Sequence, residues 1–297
     1  MTAYASGDLD WRRGRVPLYV FKANDSIAAI GRDAYVEFFT ENGLGAKRAF
    51  HGLKRMEDEI LAIGLSLFHA PDDAAGYFTT GGSESIIAVV KAARDWTRRL
   101  NGSQDGPFNI VMPHSAHPAF TKAARLMDIE ARRVPVGADS RADVAAMGKA
   151  IDERTLMIVG SAPCFPYGTV DPIEALGRLA IERSVWLHVD ACVGGYLAPF
   201  VAEAGYAVPA FDFAVAGVAS LSADLHKFGF CPKPASTIFY RFAERAAFQP
   251  FDVDEWPVAV SRRRRSWERA RAAPSPAPGR RFTQWAGKAT STRPATS

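Results

Sequence analysis

Cysteine is scarce in this chain: Cys164, Cys192 and Cys231 are odd in number, widely spaced and form no Cys-x-x-Cys pair. That excludes a disulfide framework and a cysteine-built zinc site. No run of 18 or more apolar residues occurs, so a membrane-spanning helix is not expected. The opening stretch MTAYASGDLDWRRGRVPLYVF lacks the apolar block and small-residue cleavage site of a secretory signal, and a cytoplasmic address is the expectation. GxxxxGK[ST] is absent, and GGSES at 81–85 lacks the final glycine of a GxSxG elbow, which removes the P-loop and serine-hydrolase readings. Internal repeats are absent too.

What remains has the make-up of an ordinary globular core: 297 residues, 48% hydrophobic and 11% aromatic, enough for one large domain or two modest ones. The net charge of +4 is unevenly spread. Residues 258–297 carry nine Arg and one Lys against a single Glu, so the remainder is mildly acidic. That basic stretch is rich in Pro, Ala, Ser and Thr without helical or alternating apolar pattern, and it reads as a disordered tail. A basic arm for nucleic acid is the competing reading of the tail, and nucleic acid is not the expected partner.

Short β-rich runs alternate with helical stretches between residues 77 and 241, the signature of an α/β sheet covered by helices. The runs are GYFTT (76–80), FNIVMP (108–113), IEARRVPV (129–136), LMIVGS (156–161), VWLHVD (185–190), DFAVAGVA (212–219) and STIFYR (236–241), seven in all. Helical spacing of Ile86, Val89, Val90, Ala93 and Leu100 follows Ser83, with Asn101-Gly102 as the stop. Ser140 with Asp143, and Asp171 with Glu174 behind Pro172, predict capping boxes. GRDAYVEFFTENGLG and LKRMEDEILAIGLSLF predict two helices before the sheet, with Glu57 and Glu59 on a solvated face.

Four stretches carry chemistry. GGSES follows a strand and opens a helix, so Gly81 and Gly82 offer main-chain N–H groups and the positive end of a helix dipole to an anion such as phosphate; a ligand-free turn capped by Ser83 fits equally. HSAHPAF places His114 and His117 three apart after a strand. A metal pair without a third ligand, an imidazole lying on an aromatic ligand, and an unremarkable pair of histidines all suit that spacing. VWLHVDACVGGY puts Asp190 at the carboxyl end of an apolar strand, where open α/β sheets bind ligands; a structural ion pair would also explain it. In SADLHKFGF, partial burial and a cationic His226 are expected to lower the pKa of Lys227 and free its amine as a nucleophile able to form a Schiff base. An anion seat, a stacking imidazole, an acid and an amine together describe one ligand: pyridoxal 5′-phosphate.

The succession TTGGSESI, HSAHPAFTKAA, SAPCFPYGTVDPIEALG, HVDACVGGY and SADLHKFGF resembles the group II pyridoxal-phosphate-dependent decarboxylases, on the branch that includes sphingosine-1-phosphate lyases, over about residues 50–256. The resemblance implies an aspartate-aminotransferase-like (type I) large domain with a mostly parallel seven-stranded sheet and helices on both faces. It implies that Lys227 bonds the cofactor, Asp190 pairs with the pyridine nitrogen, His117 stacks on the ring and Ala191 lies against it. Gly82, Ser83 and His226 would hold the phosphate. No metal is implied. The expected partners are a small-molecule amine substrate and a second copy of the chain, as a homodimer.

Departures stand out: Ser83 replaces a more usual threonine, Pro118 follows the stacking histidine, and Asp224 stands where many decarboxylases have a serine touching phosphate. The expected division is an N-terminal helical arm over 1–55, a cofactor-binding large domain over 56–257, and the basic tail over 258–297 where the family continues into a small domain. The implied activity is a carbon–carbon lyase, by decarboxylation or by aldehyde-forming retro-aldol cleavage. An inactive cofactor-binding or interaction protein is the alternative.

Overall fold

Seven strands form one sheet in the order β1-β7-β6-β5-β4-β2-β3. The structure is a computed structural model and describes residues 7–10, 19–43, 46, 49–100 and 106–251. The basic tail predicted over 258–297 therefore lies outside the described residues, as does the Asn101-Gly102 stop. In chain order the elements are α1 (Asp25–Phe38), α2 (His51–Leu67), β1 (Ala75–Thr79), α3 (Gly82–Leu100), β2 (Phe108–Pro113), α4 (Ala119–Leu126), β3 (Ile129–Val134), α5 (Val144–Ala150), β4 (Thr155–Ser161), α6 (Ile173–Arg183), β5 (Trp186–Asp190), α7 (Ala198–Glu203), β6 (Val218–Ala223), β7 (Ser236–Tyr240) and α8 (Ala243–Ala246).

Strands β3, β2, β4, β5 and β6 run parallel, while β7 is antiparallel to both β6 and β1. Two reversals cancel, so β1 points the same way as the parallel set. The carboxyl ends of β1, β2, β4, β5 and β6 consequently share one edge of the sheet.

Alternation along the strands sends successive side chains to two separate cores. Phe108, Ile110 and Met112 of β2 and Ile238 and Tyr240 of β7 pack with α3 and α4. Val111 of β2, Leu187 and Val189 of β5 and Phe239 of β7 pack on the opposite face, with Ile173 and Leu176 of α6 and Ile60 and Leu61 of α2. Helices thus cover both faces, as the resemblance implies. Phe239 is wedged so tightly that a Cβ on Gly64 of α2 would fall 2.3 Å from its ring, and one on Gly76 of β1 2.6 Å. Those two glycines let α2 and β1 close on the ring.

The expected strands match within a residue or two, with one exception. DFAVAGVA is turn-forming through residue 217, and the strand is Val218–Ala223, VASLSA. The apolar run was misleading because Phe213 and Val215 fill the core from a loop, whereas the strand alternates serines with small or apolar residues.

Three helix starts also differ. α1 begins at Asp25, six residues before the expected start, because the Asn24 side chain accepts from Ile27 N at 2.9 Å. Asp143 caps α5 by accepting from Ala146 N at 2.9 Å, not Ser140, which has a left-handed backbone. Asp171 does not cap α6: its carboxylate is buried, accepting from Ala142 N at 2.8 Å and Ser161 N at 2.7 Å, and so ties the end of β4 to the approach to α5. On α2, Glu59 pairs with Arg55 at 2.9 Å and Glu57 lies 3.8 Å from Lys54, the surface roles expected of them. No helix of the described residues is long and apolar enough to cross a membrane.

Candidate active site

The turn from β1 into α3 is built by its own polar groups. Glu84 Oε2 accepts from both Thr80 N and Thr80 Oγ1 at 2.6 Å, while Gly81 O accepts from Glu84 N at 2.9 Å and Ser85 N at 3.1 Å. Ser85, fully buried, links Thr79 Oγ1 at 2.7 Å to Ser236 Oγ at 3.0 Å and so locks the helix start to β1 and β7. By helix geometry the N–H groups of Gly82 and Ser83 have no intrahelical acceptor and point out of the helix N-terminus. Ser83 lies inside the first turn and is not the cap expected of it; the turn is held instead by Glu84 reaching back to Thr80.

Facing that helix start is the loop after β6. Lys227 Nζ lies 2.8 Å from Asp224 Oδ2, and His226 Nε2 lies 3.6 Å from the same oxygen. Asp224 is 3% exposed, and its other oxygen, Oδ1, is buried without a hydrogen-bond partner. A Cβ on Gly82 would sit 2.9 Å from Cys192 Sγ and 3.1 Å from both Asp224 oxygens, and one on Gly81 would sit 3.6 Å from the His226 ring. Only glycine lets α3 approach this closely.

The charges differ from the sequence expectation. Burial favours the neutral amine of Lys227, but the carboxylates of Asp224 and Asp190 outweigh it and the pKa is raised, not lowered. His226 is not the cation expected beside it. Burial lowers its pKa, and its Nδ1 accepts from Ala235 N at 3.0 Å, which leaves the proton of the neutral ring on Nε2, facing Asp224.

Asp190 closes β5, buried, with Oδ1 accepting from Cys192 N at 3.1 Å. Ala191 is wholly buried beside it and Gly195, whose Cβ would meet the Ala191 carbonyl at 2.8 Å. Beneath runs a polar ladder between β5 and β6. Trp186 Nε1 donates to Ser220 Oγ at 2.7 Å, His188 bridges Ser220 Oγ at 2.8 Å and Ser222 Oγ at 3.2 Å, and Cys192 Sγ donates to Ser222 Oγ at 3.2 Å. Burial lowers the His188 pKa to about 3 and pushes the Cys192 thiol well up, so both are neutral.

His117 stands after β2, two strands along the same edge from β5. Its Nδ1 accepts from Ala119 N at 3.2 Å at the start of α4, and no hydrogen bond or ion pair among the described residues joins it to Lys227, Asp190 or Gly82. His114 is exposed on the same loop, beside a hollow of about 670 Å³ also lined by Thr121, Lys122, Arg125 and Arg133. Lys227, Asp190 and Gly82 do not line that hollow. Among the described residues no three His, Cys, Asp or Glu side chains gather to hold a metal ion.

Lys227, His226, Asp190, Ala191, Gly82 and Ser83 therefore meet where β1, β5 and β6 end, and His117 flanks them. The set suits pyridoxal phosphate on this structure's own terms: a glycine-lined helix N-terminus for an anion, a buried carboxylate for a ring cation, and a half-buried amine beside an unpartnered carboxylate oxygen. Sequence reading did not assign Asp224, Cys192, Ser85 or Ser222 to the site. Only Asp224 left a trace, its position three residues before the lysine.

Comparison with known proteins points the same way. The chain is 43% identical over 212 residues to the sphingosine-1-phosphate lyase of Arabidopsis thaliana, covering 70% of this chain and 39% of that protein. It is 39% identical over 258 residues to sphingosine-1-phosphate lyase 1 of Rattus norvegicus, covering 86% and 45%. The chain thus spans less than half the length of both curated relatives. The solved sphingosine-1-phosphate lyase of Burkholderia pseudomallei superposes with a TM-score of 0.76 at 37% identity, covering 80% of this chain and 56% of that one. Residues 53–250, more than half of the chain, match the pyridoxal-dependent decarboxylase conserved domain, and the protein belongs to the pyridoxal-dependent decarboxylase family.

Proposed function

We propose that this protein is a pyridoxal-phosphate-dependent carbon–carbon lyase acting on an amine or amino acid, with residues 56–257 as the cofactor-binding domain and 1–55 as an arm preceding it. The single observation that carries the reading is the meeting of Lys227, Asp224 and the glycine-lined start of α3, with Asp190 at the end of the neighbouring strand. Lys227 would bond the cofactor aldehyde, Asp190 would pair with the pyridine nitrogen, and His117 and Ala191 would lie against the ring. Gly82, Ser83 and His226 would hold the phosphate.

When bound, the cofactor supplies an electron sink for the pair released as a bond at the substrate Cα breaks. The chain's own groups set the protonation around it. Asp224 Oδ2, at 2.8 Å, holds Lys227 Nζ as the ammonium, which must lose its proton before it acts as a nucleophile. Asp190, anchored by the Cys192 N–H, keeps a facing ring nitrogen protonated because an adjacent anion favours the charged form. Neutral His226 donates through Nε2 without adding charge.

The names of the relatives favour aldehyde-forming cleavage of a phosphorylated amino alcohol over decarboxylation. A homodimer is supported by α1, which buries none of its residues and leaves Ile30, Tyr35, Val36, Phe38 and Phe39 in or beside it exposed for a second copy to cover. Three cysteines without a disulfide suit the cytoplasm.

The test is to mix the purified protein with pyridoxal phosphate, reduce with borohydride and map the labelled peptide. The expected result is a visible absorption band and label on Lys227, both lost in Lys227→Ala. Label spread over surface lysines, with Lys227 unmodified, overturns the reading. A panel of amino acids and β-hydroxy amines then separates carbon dioxide release from aldehyde release, and no product from any of them would mark an inactive cofactor-binding protein.

A further inference from the structure

Arg133, near the end of β3, spends its guanidinium on the loop that carries His117. Nη1 donates to His114 O and Ala116 O, both at 3.0 Å, and Nε and Nη2 reach Thr121 Oγ1 at 3.3 and 3.1 Å. These acceptors bracket His117: two carbonyls precede it, and the hydroxyl follows in the first turn of α4. No carboxylate among the described residues pairs with Arg133, although Arg132 beside it pairs with both Glu130 and Asp152. The cation is therefore committed to main-chain and hydroxyl oxygens in a partly desolvated place, and burial lowers its pKa. Three acceptors in two directions match the planar fork of arginine; the single ammonium of lysine cannot span them. The rest of the loop holds itself: His114 N donates to Val134 O at 2.8 Å, Ala116 N to Pro113 O at 3.0 Å, and Ala119 N to the His117 ring.

We propose that Arg133 is a positioning residue that fixes the loop carrying His117 against β3, so that the imidazole is preset to stack on the cofactor ring; this rests on the stacking role given to His117 above. Because the clamp sits on both sides of His117 and touches neither the ring nor any other site residue, it acts through main-chain geometry. Losing it frees the loop without removing a group that contacts the ligand.

Hydrogen exchange across residues 114–121 of the cofactor-free chain tests the clamp directly. In Arg133→Gln the Ala119 and Phe120 amides are expected to exchange at least about tenfold faster, a fall of roughly 1.4 kcal/mol or more in the opening free energy, with Arg133→Lys between the two. With pyridoxal phosphate added, Arg133→Gln should bind it more weakly and flatten the circular dichroism of its visible band, and ethylguanidinium should restore both. Unchanged exchange overturns the proposal. So does faster exchange with affinity and dichroism intact, provided His117→Ala alters them. If His117→Ala itself leaves affinity and dichroism unchanged, it is the stacking role that fails, and exchange alone still decides whether Arg133 clamps the loop.

Discussion

Lys227 Nζ and Asp224 Oδ2 form a 2.8 Å ion pair in the loop between β6 and β7, where the lysine was expected to stand as a free, acidified amine. The pair reverses the electrostatics: the amine is stored as a cation by a carboxylate three residues away. Activation then requires this stabilised ammonium to give up its proton.

Asp224→Asn should lower the pKa of Lys227, because burial remains and the largest opposing charge is gone. The measurement is the pH dependence of Lys227 acylation by an anhydride in the cofactor-free protein, followed by mass spectrometry. In the parent the reaction is expected to rise only above the ordinary lysine range, and in the variant well below it. Identical profiles would mean that Asp224 does not set the Lys227 pKa.

His188 is neutral in the fold, with its pKa near 3 against 6.5 for the free side chain. The unfolded chain therefore takes up a proton that the folded one refuses, and stability is lost as the pH falls from 6.5 toward 3, by up to about 1.4 kcal/mol per pH unit. His188→Gln should be less stable at neutral pH, since the ladder to Ser220 and Ser222 is disturbed, yet show a shallower acid slope. Urea midpoints between pH 7 and 4 measure both. Parallel slopes would count against the assignment.

Two alanine substitutions in α2 should act in opposite directions. Gly64→Ala drives a Cβ to 2.3 Å from the buried Phe239 ring, and overpacking of this kind costs about 1–3 kcal/mol. Gly52→Ala meets nothing within 4 Å, and the better helix propensity adds up to about 1 kcal/mol. Thermal melting of the two variants checks the contrast.

Asp190→Asn keeps the shape of the site and removes the charge. Cofactor label should still reach Lys227, while turnover of an accepted substrate falls by roughly 10²-fold or more as the electron sink weakens. Equal turnover would remove Asp190 from the role proposed for it.

Much of this architecture was legible because both faces of the sheet are buried, which makes strands such as FNIVMP and VWLHVD continuous apolar runs bounded by polar turns. β6 escaped for the opposite reason: Ser220 and Ser222 occupy one of its buried faces, and their burial is made possible by Trp186 and His188 on the neighbouring strand, partners more than 30 residues away. Caps depend on single side-chain directions, so Asp171 could read as a helix cap while its carboxylate in fact reaches Ala142 and Ser161. Lys227, Asp190 and Gly82 were readable as chemistry at the ends of elements. The neutral state of His226 was not, since it follows from burial in the folded loop, and its tautomer from an N–H that arrives from Ala235.

The pairing of β1 with β7 joins residues 75–79 to residues 236–240. During synthesis β1 leaves the ribosome early, but it has no neighbour in the sheet until Tyr240 has followed. A nascent chain shorter than that leaves unpaired the strand that leads into the glycine turn, and the vitamin pocket is finished only as β7 closes the sheet.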